Sequence, residues 1–95
     1  MGDKVIEGTR VLKLATGVSV QNLGKGEGAV VLEIASGQLH TCNDTTAEFL
    51  AALDGNRDFD AVVARLEQKF DVDPAVLRAD LSSLATQLIA QSIIE

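Results

Sequence analysis

Tryptophan and tyrosine are absent from this chain, and phenylalanine occurs three times. The core must therefore be built from leucine, valine, isoleucine and alanine. Cysteine occurs once, which excludes an internal disulfide and leaves the cytosol as the expected compartment. No apolar run approaches the roughly 20 residues that span a bilayer, so no membrane is expected as a partner. The opening MGDKVIEG lacks the apolar stretch of a secretory signal, and Ile6 breaks the myristoylation pattern. Basic residues are few. Eight Lys and Arg stand against fourteen Asp and Glu, for a net charge of −6. A chain that works by gripping nucleic acid needs the opposite balance, because cations must neutralise phosphates. At 95 residues there is room for one domain with a modest core.

What is present divides into strands followed by helices. Residues 1–9 are expected to form a flexible tail, with the domain running over 10–95. Val11, Leu12 and Leu14 begin a short extended segment. Val18 to Leu23 alternates as a strand does. Gly24-Lys25-Gly26-Glu27-Gly28 makes a flexible turn. It lacks the Lys-Ser/Thr ending of a phosphate loop, and no helical pattern follows it. Ala29 to Ala35 is rich in β-branched residues and is the strongest strand. Ser36-Gly37 is expected to turn it tightly into Gln38 to Cys42, which pairs back antiparallel.

The stretch Gln38 to Gly55 joins the two halves. Asn43 or Asp44 can cap a helix, since a short side-chain oxygen accepts from free N–H groups of the first turn. Ala47, Leu50 and Leu53 recur at helical spacing, and Asp54-Gly55 is expected to stop the helix. Asp58 caps a second amphipathic helix carrying Ala61, Val62, Val63, Leu66 and Phe70. Asp73-Pro74 starts a third, with proline at the position where a missing N–H is harmless. Leu77, Leu81, Leu84 and Leu88 form its stripe, and Ile93-Ile94 is expected to fold back onto the sheet. The fold class is α+β: a three-stranded antiparallel sheet followed by three helices, with the last two a helix-turn-helix-like pair and the sheet as its wing.

Chemistry-bearing groups are sparse. His40 and Cys42 form an HxC pair on one face of a strand. That spacing suits two metal ligands, but no further Cys or His completes a site, so no metal and no cofactor is expected. Asp80-Leu81-Ser82-Ser83-Leu84 faintly resembles the Asp-Ser-Leu of acyl carrier proteins. There, however, the serine opens a helix, and carrier proteins lack strands. No nucleophile, base and oxyanion set is visible, so no catalytic residue and no enzyme is expected. Binding remains. The third strand has only its hairpin partner, and a free strand edge accepts another strand. On the third helix, Ala85 and Ile89 lie to one side of the leucine stripe, with Arg78 and Ser82 next to them. A strand edge beside an apolar helix flank suits an extended peptide held by strand addition; the same flank could equally pack against the first helix.

The residues Cys42-Asn43-Asp44-Thr45-Thr46-Ala47-Glu48-Phe49-Leu50, then Leu53-Asp54-Gly55, resemble the LNxTAxxIWxLLDG signature of the PqqD-like family. Val62 to Phe70, Asp71-Val72-Asp73-Pro74, Leu77, Asp80, Leu81, Leu84 and Leu88 resemble its continuation. The likeness covers about residues 18–94. Cys42 stands where leucine is usual, Thr46 where a small residue is usual, and Ser92-Ile93-Ile94 where Gly-Leu-Leu is usual. The resemblance implies a RiPP recognition element, a winged helix-turn-helix-like domain that binds no DNA. Such domains capture the leader segment of a ribosomally made precursor peptide and present the core to a modifying enzyme or leader peptidase. The leader lies as an added strand on the third strand. The positions implied for peptide binding are Gln38, Leu39, His40, Thr41 and Cys42 at the edge, and Arg78, Leu81, Ser82, Ala85 and Ile89 in the groove. A lasso-peptide type, acting as a monomer, is favoured. The alternatives are a PqqD-type chaperone serving a radical-SAM enzyme in pyrroloquinoline quinone synthesis, and a winged-helix DNA-binding regulator.

Overall fold

The computed structural model describes residues 6–24 and 26–95. Three strands, β1 (Val18–Asn22), β2 (Ala29–Glu33) and β3 (Gln38–Cys42), precede three helices, α1 (Asp44–Ala51), α2 (Phe59–Glu67) and α3 (Pro74–Ala90). The sheet is antiparallel, in the order β1-β2-β3. This is the α+β arrangement that the strand and helix patterns imply.

Each helix begins where a short polar side chain accepts from the first turn. Asn43 Oδ1 accepts from the N–H of Thr46 at 2.9 Å, Asp58 Oδ1 from Ala61 at 2.9 Å, and Asp73 Oδ1 from Ala75 at 2.8 Å. Asn43 is thus the cap of α1. Asp44 instead accepts from the N–H of Gly26 at 3.3 Å, pinning the β1–β2 turn to the start of the helix. Pro74 occupies the first turn of α3.

Two local expectations are corrected. The β2–β3 connection is four residues, 34–37, because β2 ends at Glu33. The Gly37 N–H closes a wider turn on the Glu33 carbonyl at 2.8 Å, with Gly37 at φ 74°. Helix α1 ends at Ala51, before Asp54-Gly55. Asp54 Oδ1 instead accepts from the N–H groups of Asn56 and Arg57, at 2.9 Å each, organising the turn into α2. Those bonds hold the Asp54 carboxyl below its ordinary value. The extended segment before β1 is held by isolated bridges, Val11 to Asp58 and Leu14 to Ile94. Ile93 and Ile94 are buried in the same core cluster as Val31 of the sheet, and their stretch pairs with this segment. The Lys13 N–H donates to the Glu95 carbonyl at 3.0 Å, and Glu95 returns a bond to Lys13 at 2.8 Å.

The expected tail over 1–9 lies partly outside the described residues, as does Lys25 of the glycine turn. Ile6, however, is 5% exposed and belongs to the core. The Asp60 N–H donates to the Gly8 carbonyl at 2.9 Å, which ties this segment to α2. Phe49, Phe59, Leu66, Leu81, Leu12, Ile94, Val31 and Val62 are the largest fully enclosed side chains. They come from both termini, the sheet and all three helices, so one core joins every element.

Candidate peptide-binding edge

The direction of each peptide group in the sheet follows from two bonds at its ends. Ile34 N–H donates to the Gly17 carbonyl at 2.8 Å, and Leu23 N–H to the Gly28 carbonyl at 3.1 Å. Gly28, Val30, Leu32 and Ile34 therefore turn their backbone groups toward β1. Since peptide groups alternate sides along a strand, Ala29, Val31 and Glu33 turn theirs toward β3. The register sets these three opposite Cys42, His40 and Gln38. Leu39 and Thr41 are left with N–H and C=O groups directed away from β2. Among the described residues nothing pairs with them. The described part of the N-terminal segment, from Ile6 onward, pairs with Asp58 and Ile94 and not with this margin.

Side chains alternate as well. Residues directly opposite share a face, so His40 and Cys42 lie on the core side with Val31 and Ala29, both buried. The His40 ring bonds the Glu33 carboxylate. Cys42 Sγ donates to the Ala29 carbonyl at 3.5 Å, and burial pushes its thiol above the ordinary value. Leu39 and Thr41 lie on the outer face, where Leu39 is 66% exposed. The margin thus presents two free peptide units, with half-buried groups toward the helices and an apolar side chain toward solvent.

The helical positions that the resemblance implied fall differently. Leu81 and Ala85 have no exposed surface. They are core residues, and α3's enclosed stripe is Leu77, Leu81, Ala85 and Leu88, with Leu84 only partly covered. The leucine spacing misplaces the stripe's centre because the enclosed position between Leu81 and Leu88 is held by an alanine, Ala85. Arg78 pairs with Asp60 at 2.6 Å and lies over the Phe59 ring, 5.3 Å from its centroid. Ile89 lines an apolar cleft with Ile6, Arg10 and Thr86. The Ser82 carbonyl accepts from the Thr86 hydroxyl at 2.9 Å. This flank faces the start of α2 and the N-terminal segment, which leads into β1, the strand farthest from β3. At 100° per residue the opposite flank of α3 carries Asp80, Leu84 and Gln87. The leucine periodicity is the only sequence signal for Leu84, and it reads equally well as core.

Other chemistries find little here. No cluster of three or more potential metal ligands occurs among the described residues. No described helix is long and apolar enough to cross a membrane.

Known proteins of the same build were found by sequence and by shape. The family described as "Coenzyme PQQ synthesis protein D (PqqD)" matches residues 28–94. A curated relative from Rhizobium meliloti (strain 1021), described as "PqqA binding protein", is 30% identical over 91 residues, covering 96% of this chain and 91% of its own. The PqqD truncation of Methylobacterium extorquens PqqCD, described as a stand-alone RiPP recognition element, superposes with a TM-score of 0.76 at 23% identity, covering 95% of this chain and 94% of that one. A lasso peptide synthetase B1 complexed with its leader peptide superposes with a TM-score of 0.74 at 24% identity, over 90% and 98% of the two chains. The structural likenesses establish the fold, and the family match covers most of the chain. This chain belongs to the PqqD family.

Proposed function

We propose that this chain captures the leader segment of a ribosomally made precursor peptide as a fourth strand on β3 and hands it to a modifying enzyme or leader peptidase in the cytoplasm. The observation that carries the reading is the pair of unpartnered peptide units at Leu39 and Thr41. An extended guest would satisfy all four of their backbone groups, and its side chains would alternate between the outer face and the helical side, where His40 and Cys42 are half-buried. The helical wall of that groove is the Asp80, Leu84 and Gln87 flank of α3, with Leu84 as its apolar contact. Gln38 and Cys42 bound the pairing segment.

The names of the relatives support this reading, since one binds PqqA and another was solved with a leader peptide. The work is binding: no residue set for catalysis, no metal and no cofactor enters it. The DNA-reading alternative lacks a cationic surface. Arg78 is the only basic residue on α3, and it is already paired with Asp60.

The peptide class admits two readings. The run Gly17-Val18-Ser19-Val20 into Gly28-Ala29-Val30-Val31-Leu32, then Ser36-Gly37-Gln38, resembles the lasso type and favours a lasso-type leader. The PqqA-binding relative favours a PqqA-type precursor destined for a radical-SAM enzyme. Titration of labelled leaders of both kinds into the protein separates the two. The cognate leader is expected to saturate at low-micromolar concentration, about −8 kcal/mol. Thr41→Pro deletes an N–H that points away from β2, so the sheet persists while binding falls at least tenfold. If no precursor peptide encoded nearby saturates the protein, the reading is wrong.

A further inference from the structure

The side chains on the helical face of the sheet include one carboxylate, Glu33, and no lysine or arginine. Glu33 bonds the ring of His40, its diagonal neighbour on β3. An ionised carboxylate has no proton to give, so ring Nε2 carries the hydrogen of this bond. In the neutral ring Nδ1 then bears a lone pair, and among the described residues that nitrogen has no partner. The His40 side chain keeps 39% of its surface exposed. Val31 and Glu33 lie on the β2 side of it, so what stays exposed opens to the unpaired margin. We propose that this lone pair selects the guest: a lysine or arginine of the captured leader, opposite or diagonal to His40 on the helical face, donates to Nδ1. The inference deepens the proposed capture of a leader and rests on it.

Acceptor chemistry and charge together point to a cationic donor. A neutral ring leaves the charge of Glu33 uncompensated. The α3 flank assigned to the groove wall adds Asp80, a second carboxylate. Arg78 is held by Asp60 on the other flank and does not offset them. In a half-buried place such charges are screened less than in open water. A guest carboxylate would meet both a lone pair and like charge. A guest leucine would cover the Nδ1 acceptor and leave it without a donor. Lysine or arginine satisfies the lone pair and the charge at once, through a charge-assisted bond. The roles of the pair differ. The ring stands between Glu33 and the margin, so His40 touches the guest. Glu33 is a positioning residue, fixing which ring nitrogen carries the proton, as a carboxylate does behind a metal-bound histidine.

This is the only histidine in the chain, so nitrogen NMR of the isotopically labelled protein reads its ring without ambiguity. At about pH 8, on the alkaline side of an ordinary imidazole, the free protein is expected to show a protonated Nε2 and a bare Nδ1. The probes are the lasso-type and PqqA-type leaders of the titration above. On saturation with the one that binds, the Nδ1 resonance is expected to move toward that of a hydrogen-bonded nitrogen. Each lysine and arginine of that leader is then replaced by alanine in turn. One replacement is expected to abolish the movement and to cost about tenfold in affinity. His40→Phe keeps the ring's bulk but has no acceptor. It is expected to cost about the same tenfold with the parent leader and almost nothing more with the substituted one. The nitrogen readout needs no variant, so the test holds even where His40→Phe destabilises the sheet. A free ring protonated on Nδ1 or on both nitrogens, an Nδ1 resonance unmoved at saturation, or affinity indifferent to every basic residue of the leader overturns the inference. Each of these leaves capture of the leader standing. Saturation by neither leader sinks the capture, and this inference with it.

Discussion

Gly28 lies at φ 75°, where residues with a Cβ are strained, and a Cβ there would overlap the carbonyl oxygen of Cys42. That contact is backbone to backbone and sits where β2 begins beside the β3–α1 junction, so nothing can swing aside. Gly37 has nearly the same φ, 74°, but a Cβ would meet nothing within 4 Å. Two alanine variants therefore separate strain from overlap. Gly37→Ala is expected to lower unfolding stability by about 1 kcal/mol, and Gly28→Ala by about 3 kcal/mol or more. Urea unfolding of the pair checks this; equal losses would mean that the Cys42 carbonyl yields. Cys42 supplies a second test at this scale. Burial raises its thiol pKa above the 9.0 of an ordinary one. The folded state then holds the proton more tightly than the unfolded state. The associated stability is complete below about pH 9 and is lost as pH rises from there through the folded value. Cys42→Ala is expected to flatten the alkaline fall in the urea midpoint, and iodoacetamide at pH 8 is expected to react more slowly with the folded chain than with the unfolded one.

Between the elements, the question is which side of α3 meets the guest. The Asp80, Leu84 and Gln87 flank is the one turned from α2, and Leu84 is its partly covered leucine. Leu84→Ala is expected to weaken leader binding roughly tenfold, from about 1–2 kcal/mol of lost apolar contact. Arg78→Ala removes an ion pair with Asp60 on the other flank and is expected to change binding by less than about twofold. The reverse pattern, measured by the same titration, would return the groove to Arg78, Ser82 and Ile89. The sequence could not settle this. Asn43, Asp58 and Asp73 were legible as caps because a cap and its partner lie two or three residues apart. The free edge was legible because three strands in a meander must leave β3 with one neighbour. Arg78 engages Asp60, eighteen positions earlier, and Ile89 lines one cleft with Ile6. No periodicity carries such pairings, and the 4-3-4 leucine spacing points as readily to Leu84 as to Ala85.

Across the whole molecule the termini matter more than their positions in the chain suggest. Ile6 and Leu12 enter the core from one end, Ile93 and Ile94 from the other, and Lys13 and Glu95 exchange backbone bonds between them. The left-handed Ser92, at φ 62°, turns the chain after α3 so that both isoleucines reach inward. This clasp lies beside the run into β1, away from β3. Stability and peptide capture should therefore come apart when it is damaged. Ile94 is 1% exposed, and Ile94→Ala is expected to remove about 3 kcal/mol, from lost burial and the cavity left behind. For a domain of this size that is a large share of a total near 5–10 kcal/mol, so the urea midpoint should fall markedly. The dissociation constant for leader, corrected for the folded fraction, should stay within about twofold of the parent, because residues so far apart without shared partners act nearly independently. A large loss of affinity in the folded fraction would mean that the clasp sets the position of α3 against β3. The groove would then depend on contacts made at the opposite margin of the sheet.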